Sequence, residues 1–347
     1  MLTDKISHDK VEAVKNLIAR SGKIVIICHM TPDGDAMGSS LALYDLLKRK
    51  GKNVFVVTPD MPPRNLMFLP GAQSVVVGSR YPDKAHNLLL SADLIVCLDF
   101  NSLHRVDRLS PFVSGSSAKK ILIDHHLEPE NFVDVLISCP EKSSTCALLY
   151  ELLGLMGMSE EMSREAAECI YTGMMTDTGN FSYNSNDPQL YLIIAELLKK
   201  SIDKDSIYNK AWNTNSSGRL RLCGYALYCK MQLVPEHKMA LIALSRDELN
   251  EFDYVKGDTE GLVNKPLSIP GIEYSVFLRE DEPDYVKVSM RSLGDFPVNK
   301  ICSDHFGGGG HLNAAGGEFH GSIASAMGLV MSVLPDYDEY LNNNNIE

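Results

Sequence analysis

Four short apolar runs recur in the first part of the chain: Lys23-Ile-Val-Ile-Ile-Cys28, Asn53-Val-Phe-Val-Val57, Leu94-Ile-Val-Cys-Leu98 and Lys120-Ile-Leu-Ile123. None alternates apolar with polar positions, so each reads as a strand buried on both faces, and the stretches between them, such as Ala36 to Lys50, are amphipathic. Such strands separated by helices predict an α/β fold built on a doubly wound parallel sheet. From Ser144 to about Cys229 the pattern becomes helical, in Ala147 to Leu153, Glu161 to Met175, Pro188 to Lys199 and Arg219 to Met231. The second half has another rhythm. Met239 to Leu244, Ile272 to Leu278 and Tyr285 to Met290 read as strands, the last two joined across Glu280-Asp-Glu-Pro-Asp284, while Asn299 to His305 and Ser322 to Val333 read as helices. Strands and helices without strict alternation suggest a smaller mixed-sheet α/β domain. The expected division is a first domain over 1–190, a helical linker over 191–214, the second domain over 215–340 and a disordered tail over 341–347, where Asn342 to Asn345 marks a frayed end.

Length agrees with this division, since 347 residues at about 150 per domain give two domains. With 44% hydrophobic and 22% charged residues the chain is an ordinary globular one, which excludes disorder, collagen and coiled coil. The eight cysteines are scattered, several within apolar runs and none in a Cys-x-x-Cys pair, as expected for reduced, buried thiols in a cytoplasmic protein. The amino terminus lacks an apolar signal core, and no apolar run approaches the roughly 20 residues that span a bilayer, so neither export nor membrane insertion is expected. The formal charge of −12 repels a long polyphosphate backbone and attracts cations.

Polar residues collect where the strands end. The first strand runs into His29-Met-Thr-Pro-Asp33-Gly-Asp35, the third into Asp99 and the fourth into Asp124-His125-His126. Loops at the carboxyl ends of parallel strands form the ligand crevice of such sheets. Pro-Asp-Gly is also common turn chemistry, and Asp35 could simply cap the helix beginning at Ala36. Asp177, in Met-Met-Thr-Asp-Thr just beyond a helix, reads either as a helix-end aspartate or as one more member of the set. Together His29, Asp33, Asp35, Asp99, His125 and Asp177 offer two imidazoles and four carboxylates, enough for two divalent cations sharing one carboxylate. Without cations, four buried carboxylates could not all stay ionised.

The order and spacing of these elements closely resemble the DHH family of phosphoesterases, named for the triplet found here as Asp124-His125-His126. The resemblance covers nearly the whole chain. Ser289-Met-Arg291-Ser292 and Gly307-Gly-Gly-Gly310-His311-x-x-Ala314-Ala-Gly316-Gly317 resemble the phosphate-binding signatures of the DHH-associated carboxyl-terminal domain. In order and length the chain is most similar to the nanoRNase A type within the family. The resemblance implies that His29, Asp33 and Asp99 hold one metal and that Asp35, Asp99, His125 and Asp177 hold the other, with Asp99 bridging. It implies a catalytic role for Asp124, fixing the orientation of a ligand imidazole, and for His126, facing the scissile phosphate. Arg291, Ser292, Gly308, Gly309, Gly310 and His311 would bind substrate. Asn101 and Arg105, after the bridging aspartate, fit the family as further substrate contacts, whereas His104 matches no pattern and Asp83 and His86 read as a solvated helix face. Leu127-Glu-Pro129 departs from relatives that carry proline directly after the triplet, and implies a small loop difference. The active site is expected in the cleft between the two domains.

Mixed imidazole and carboxylate ligation suits manganese, cobalt, iron, zinc or magnesium, and the resemblance favours manganese. The expected activity is hydrolysis of short oligoribonucleotides to mononucleotides and of 3′-phosphoadenosine-5′-phosphate to AMP and phosphate. The chain has no room for an added oligonucleotide-binding domain, so long single strands are not expected substrates, nor is long duplex nucleic acid or a membrane an expected partner; a homodimer is left open. Hydrolysis of cyclic or linear di-adenylate, or of polyphosphate or pyrophosphate, stays open within the same superfamily. A non-catalytic nucleotide sensor is the rival from another class, and retention of all six ligands together with His126 argues against it.

Overall fold

In a computed structural model residues 6–341 are described, so the expected tail lies, from residue 342 onward, outside the described residues. The chain divides into two compact units, Met1–Thr214 and Asn215–Glu347. The first opens with α1 (His8–Arg20), capped by the Ser7 side chain, then β1 (Lys23–Cys28), α2 (Gly34–Arg49), β2 (Asn53–Thr58), β3 (Val76–Val77) and α3 (Pro82–Leu90). It continues with β4 (Leu94–Leu98), α4 (Ser110–Gly115), β5 (Lys119–Asp124), β6 (Val135–Ser138), α5 (Thr145–Leu155), α6 (Arg164–Asp177), α7 (Pro188–Lys199) and α8 (Lys204–Ala211). All six strands are parallel, in the order β3-β2-β1-β4-β5-β6, with Ile26 of β1 opposite Val56 on one side and Val96 on the other.

The unbroken apolar runs have a direct explanation. Ile24 and Ile26 face one core with Val96, Leu41 and Leu149, whereas Val25 and Ile27 face the other with Ile95, Leu89 and Val113. Each such side chain gains roughly 1.5–3 kcal/mol by burial, which makes these strands a stiff base for the loops beyond them. Two edge strands, β3 and β6, carry too few residues to register as a pattern. The run expected as helical from Glu161 starts only at Arg164, because the Ser163 hydroxyl accepts from Ala166 N and caps α6 there. Its far end includes Asp177, which therefore sits in the last helical turn rather than beyond it. The segment 191–214, expected as a linker, packs into the first unit through Ile193, Leu197, Ile207 and Ala211, because α7 and α8 are amphipathic and bury their apolar sides there.

The second unit contains α9 (Ser217–Tyr225), β7 (Met231–Val234), β8 (Met239–Leu244), α10 (Arg246–Glu251), β9 (Tyr274–Glu282), β10 (Tyr285–Ser292), α11 (Val298–His305), β11 (Gly309–His311), β12 (Ala314–His320) and α12 (Ile323–Val333). Its sheet, ordered β11-β12-β10-β9-β8-β7, is mixed: β8 and β9 run parallel and every other pair is antiparallel. The hairpin is tighter than expected, since β9 extends to Glu282 and leaves only Pro283 and Asp284 to turn. The helix expected over 219–231 stops being regular after Tyr225, and Met231 already belongs to β7. No disulfide joins the cysteines; six are buried, Cys223 is half-buried and Cys229 is exposed, so burial is not general as expected. Among the described residues no helix is long and apolar enough to cross a membrane.

Candidate metal centre

The parallel sheet reverses its winding between β1 and β4, because the chain leaves β1 toward β2 and β3 and leaves β4 toward β5 and β6. Loops at such a switch point splay apart and leave a crevice at the strands' carboxyl ends. His29, Asp33 and Asp35 follow β1, Asp99 follows β4, Asp124 ends β5, and His125 and His126 come next. The last turn of α6 adds Asp177.

Asp99 stands at the centre. Its backbone is left-handed, with φ of 64°, an uncommon conformation for a non-glycine residue that directs the chain sharply off β4. Its Oδ2 lies 3.4 Å from Nε2 of His29, and its Oδ1 lies 3.7 Å from Nε2 of His125. The two oxygens of one carboxylate thus face two different imidazoles. Asp33 Oδ1 is 3.8 Å from His29 Nε2 on one side. On the other, Asp177 Oδ2 and Asp35 Oδ2 are 3.4 and 3.9 Å from His125 Nε2. Ligand atoms about 2.1 Å from a common cation sit about 3.0–3.4 Å apart, so a small contraction would let either set close on an ion. The sets His29–Asp33–Asp99 and Asp35–His125–Asp177 each bring three ligand atoms within 4.8 Å of one another, as does Asp99–His125–His126.

The imidazoles are held in the orientation a metal requires. His29 Nδ1 is 2.7 Å from the Met30 carbonyl, and His125 Nδ1 is 3.1 Å from the Lys142 carbonyl. A carbonyl only accepts, so Nδ1 carries the proton in each ring and Nε2 faces the carboxylates. His126 differs, because its Nδ1 donates to Oδ1 of the fully buried Asp124 at 2.7 Å. The imidazole that Asp124 orients is therefore His126 rather than a ligand imidazole, since Nδ1 of His29 and of His125 is engaged by the Met30 and Lys142 carbonyls.

The carboxylates are set by backbone donors. Asp33 caps α2 by accepting from Asp35 N and Ala36 N at 3.0 Å each. Asp35, which could have been that cap, instead accepts from Thr145 N at 2.6 Å and Cys146 N at 2.8 Å, at the positive end of α5. The side chain of Asp35 is 1% exposed and that of Asp33 56% exposed. Close approach of α2 and α6 makes this possible: a Cβ at Gly173 would stand 2.2 Å from Cys146 Sγ and 2.8 Å from Asp35 Oδ1.

The metal-free electrostatics follow. Burial, then the charges of Asp99, Asp177 and Asp33, push the Asp35 carboxyl well above its ordinary value. Burial, then Asp99 and Asp33, raise Asp177 from 3.8 to about 8. Burial would also raise Asp99, but its hydrogen bond and charge interaction with His29, with His125 and His126 behind, hold it below the usual range. Burial lowers His29, yet Asp33 and Asp99 outweigh it and lift the imidazole from 6.5 to about 10. The group therefore balances its charge with protons where cations would do so. Two imidazoles and four carboxylates converging in this way fit divalent cations.

In the second unit Arg291 lies near the end of β10, where one guanidinium nitrogen donates to the Met290 carbonyl at 2.9 Å. The exposed Gly309, Gly310 and His311 form β11 against β12. Gly308 has a packing requirement of its own, since a Cβ there would meet the Gly316 carbonyl oxygen at 2.0 Å. Ser292, expected to touch substrate, is buried; its hydroxyl donates to the Phe296 carbonyl at 2.7 Å and accepts from Asn313 at 2.9 Å, so the turn takes it up. Asn101 likewise donates to the Leu127 carbonyl at 2.8 Å, tying the loop after β4 to the loop after His126. Arg105 contributes its carbonyl, which accepts from Met30 N at 2.7 Å. His104 is exposed, as are Asp83 and one side of α3, but His86 stacks on Phe112 at 3.6 Å. The residues missed in the sequence are Thr145 and Cys146. Ser143-Ser-Thr145 directly before an apolar helical run is a helix-start signal, and it could have directed attention there.

Residues 23–174 match the DHH family, N-terminal domain, and residues 238–331 match the DHHA1 domain. The chain is 33% identical to the bifunctional oligoribonuclease and PAP phosphatase NrnA of Thermus thermophilus, over 90% of this chain and 89% of that one. It is 28% identical to the protein of the same name from Bacillus subtilis, over 90% and 93%. The crystal structure of an exopolyphosphatase-related protein from Bacteroides fragilis superposes with a TM-score of 0.94 at 48% identity, covering 96% of this chain and 98% of that one. The chain belongs to the DHH family of phosphoesterases, metal-dependent hydrolases that act on phosphoester bonds.

Proposed function

We propose that this chain hydrolyses short oligoribonucleotides to mononucleotides and 3′-phosphoadenosine-5′-phosphate to AMP and phosphate. The observation that supports this reading best is the division of the Asp99 carboxylate, one oxygen toward His29 and the other toward His125. On this reading His29, Asp33 and Asp99 hold one divalent cation, and Asp35, Asp99, His125 and Asp177 hold a second. Manganese suits mixed imidazole and carboxylate ligands, and cobalt, iron, zinc and magnesium are the comparisons to make. When bound, two such ions would make a hydroxide nucleophile available near neutral pH and would offset the charge of the phosphoryl oxygens.

The chain's own residues do the rest. His126, oriented through Nδ1 by Asp124, acts as an imidazolium whose Nε2 gives its proton to the leaving oxygen of the phosphoester. Arg291 pairs with a terminal phosphate through its forked guanidinium, and His311 with the exposed Gly309 and Gly310 completes the grip. The net charge of −12 favours short substrates over long strands, whose many phosphates it would repel. Eight free cysteines agree with a reducing cytoplasm, where we place the protein.

The test is a parallel turnover assay with manganese on two-to-five-residue RNA, 3′-phosphoadenosine-5′-phosphate, linear and cyclic di-adenylate, and polyphosphate. Mononucleotides from RNA and phosphate from the bisphosphorylated nucleotide are expected. Turnover confined to polyphosphate or to cyclic di-adenylate would replace this reading.

A further inference from the structure

One dipeptide touches both halves of the candidate centre. The Thr145 hydroxyl donates to Asp99 Oδ1 at 2.9 Å, and Thr145 N and Cys146 N donate to the two oxygens of Asp35 at 2.6 and 2.8 Å. Thr145 is fully buried, so water does not compete for these bonds. Its hydroxyl can rotate to donate to a carboxylate, and Asp99, an acceptor when ionised, gives it a fixed target. The contact leaves the orientation of the Asp99 carboxylate determined from a helix that carries no ligand itself. Ser144, one residue earlier, holds that helix through a separate bond from Ala147 N at 3.0 Å.

We propose that Thr145 is a positioning residue for both metals: its hydroxyl fixes the plane of Asp99 and its amide, with that of Cys146, fixes Asp35. This rests on the two-metal reading above. Ligand carboxylates oriented by such outer hydrogen bonds typically lose about 10–100-fold in metal affinity when the bond is removed. Thr145→Val keeps the β-branched shape and both backbone donors while removing only the hydroxyl. Thr145→Ser restores the hydroxyl without the methyl. Ser144→Ala weakens the start of α5 without touching Asp99, and so separates helix stability from carboxylate orientation.

The experiment titrates metal-free protein with Mn²⁺ by calorimetry, with metal content after dialysis and melting temperature measured alongside. Thr145→Val is expected to weaken Mn²⁺ affinity about 10–100-fold, Thr145→Ser to stay within about threefold of wild type, and Ser144→Ala to melt earlier with affinity unchanged. Thr145→Ala repeats the measurement if valine disturbs the fold. Wild-type affinity in the valine and alanine variants would overturn the inference, as would equal losses for Val and Ser, or a loss in Ser144→Ala matching that of Thr145→Val. Wild-type protein that takes up no Mn²⁺ would instead overturn the metal reading on which the inference stands.

Discussion

His126 Nδ1 donates to Asp124 Oδ1 at 2.7 Å, within a triplet whose middle residue turns its own ring toward Asp35, Asp99 and Asp177. β5 ends at Asp124, and the loop that follows returns His126 to it, while His125, tied through Nδ1 to the Lys142 carbonyl, faces the three carboxylates.

Removing this pair should cost turnover and spare metal. His126→Ala and Asp124→Asn are each expected to lower kcat by roughly 10²–10⁴-fold, with the double variant no worse than the lower single, because the two act as one unit. Steady-state rates with metal analysis check this. Loss of a metal ion in His126→Ala would make His126 a ligand instead.

Metal uptake should release protons. At pH 7 the metal-free site keeps a proton on Asp177, raised to about 8, and on His29, raised to about 10, and cations displace both. Calorimetry of Mn²⁺ binding in buffers of different ionisation enthalpy should therefore show proton release, and apparent affinity should rise with pH through this range. The metal-free fold gives the converse. Asp177 ionises near 3.8 when unfolded and near 8 when folded, so its contribution to stability is lost as pH rises between these values. Thermal melts of Asp177→Asn without metal should show that part of the slope removed.

Gly173→Ala should damage fold and metal site together. The added methyl meets Cys146 Sγ and Asp35 Oδ1 inside a packed helix pair, which costs about 1–3 kcal/mol by overpacking. Urea unfolding is expected to show an earlier midpoint, and dialysis a reduced metal content in the surviving folded protein. A neutral result in both would mean that the helices part without consequence for Asp35.

Arg291→Ala should separate substrate from metal. KM for substrates bearing a terminal phosphate is expected to rise about 10–100-fold with metal content unchanged, in line with loss of a charge-assisted forked contact. An equal fall in metal content would remove Arg291 from the substrate role.

Strand positions were legible because both sheet faces are buried, which writes β1, β2, β4 and β5 as unbroken apolar runs. That the candidate ligands converge was legible for a related reason, since β1, β4 and β5 each end in or run into Asp or His at the same edge of the sheet. What stayed hidden depends on distance along the chain. Thr145 reaches Asp35 across 110 residues and Asp99 across 46, and nothing in a run of serines and threonines indicates which carboxylate lies beyond it. Segment 191–214 was misread because an amphipathic helix shows that it packs, not which neighbour it packs on. Ser292 was carried over with the Ser289-Met-Arg291-Ser292 signature as a whole, which does not show that it falls in the buried phase of β10, where the turn beyond the strand takes up its hydroxyl.

The candidate ligands run from residue 29 through residue 177, and of the two sets only His29–Asp33–Asp99 lies wholly ahead of β5. Six strands and five helices precede α6, so Asp177 reaches His125 only after all of them have been made. On the two-metal reading, capture of the second cation is thus a late event in maturation, reporting that α6 has docked on the sheet. On that reading a growing polypeptide stays inert toward phosphoesters until α6 has docked, and hydrolytic capacity switches on with that step rather than accumulating as the fold forms.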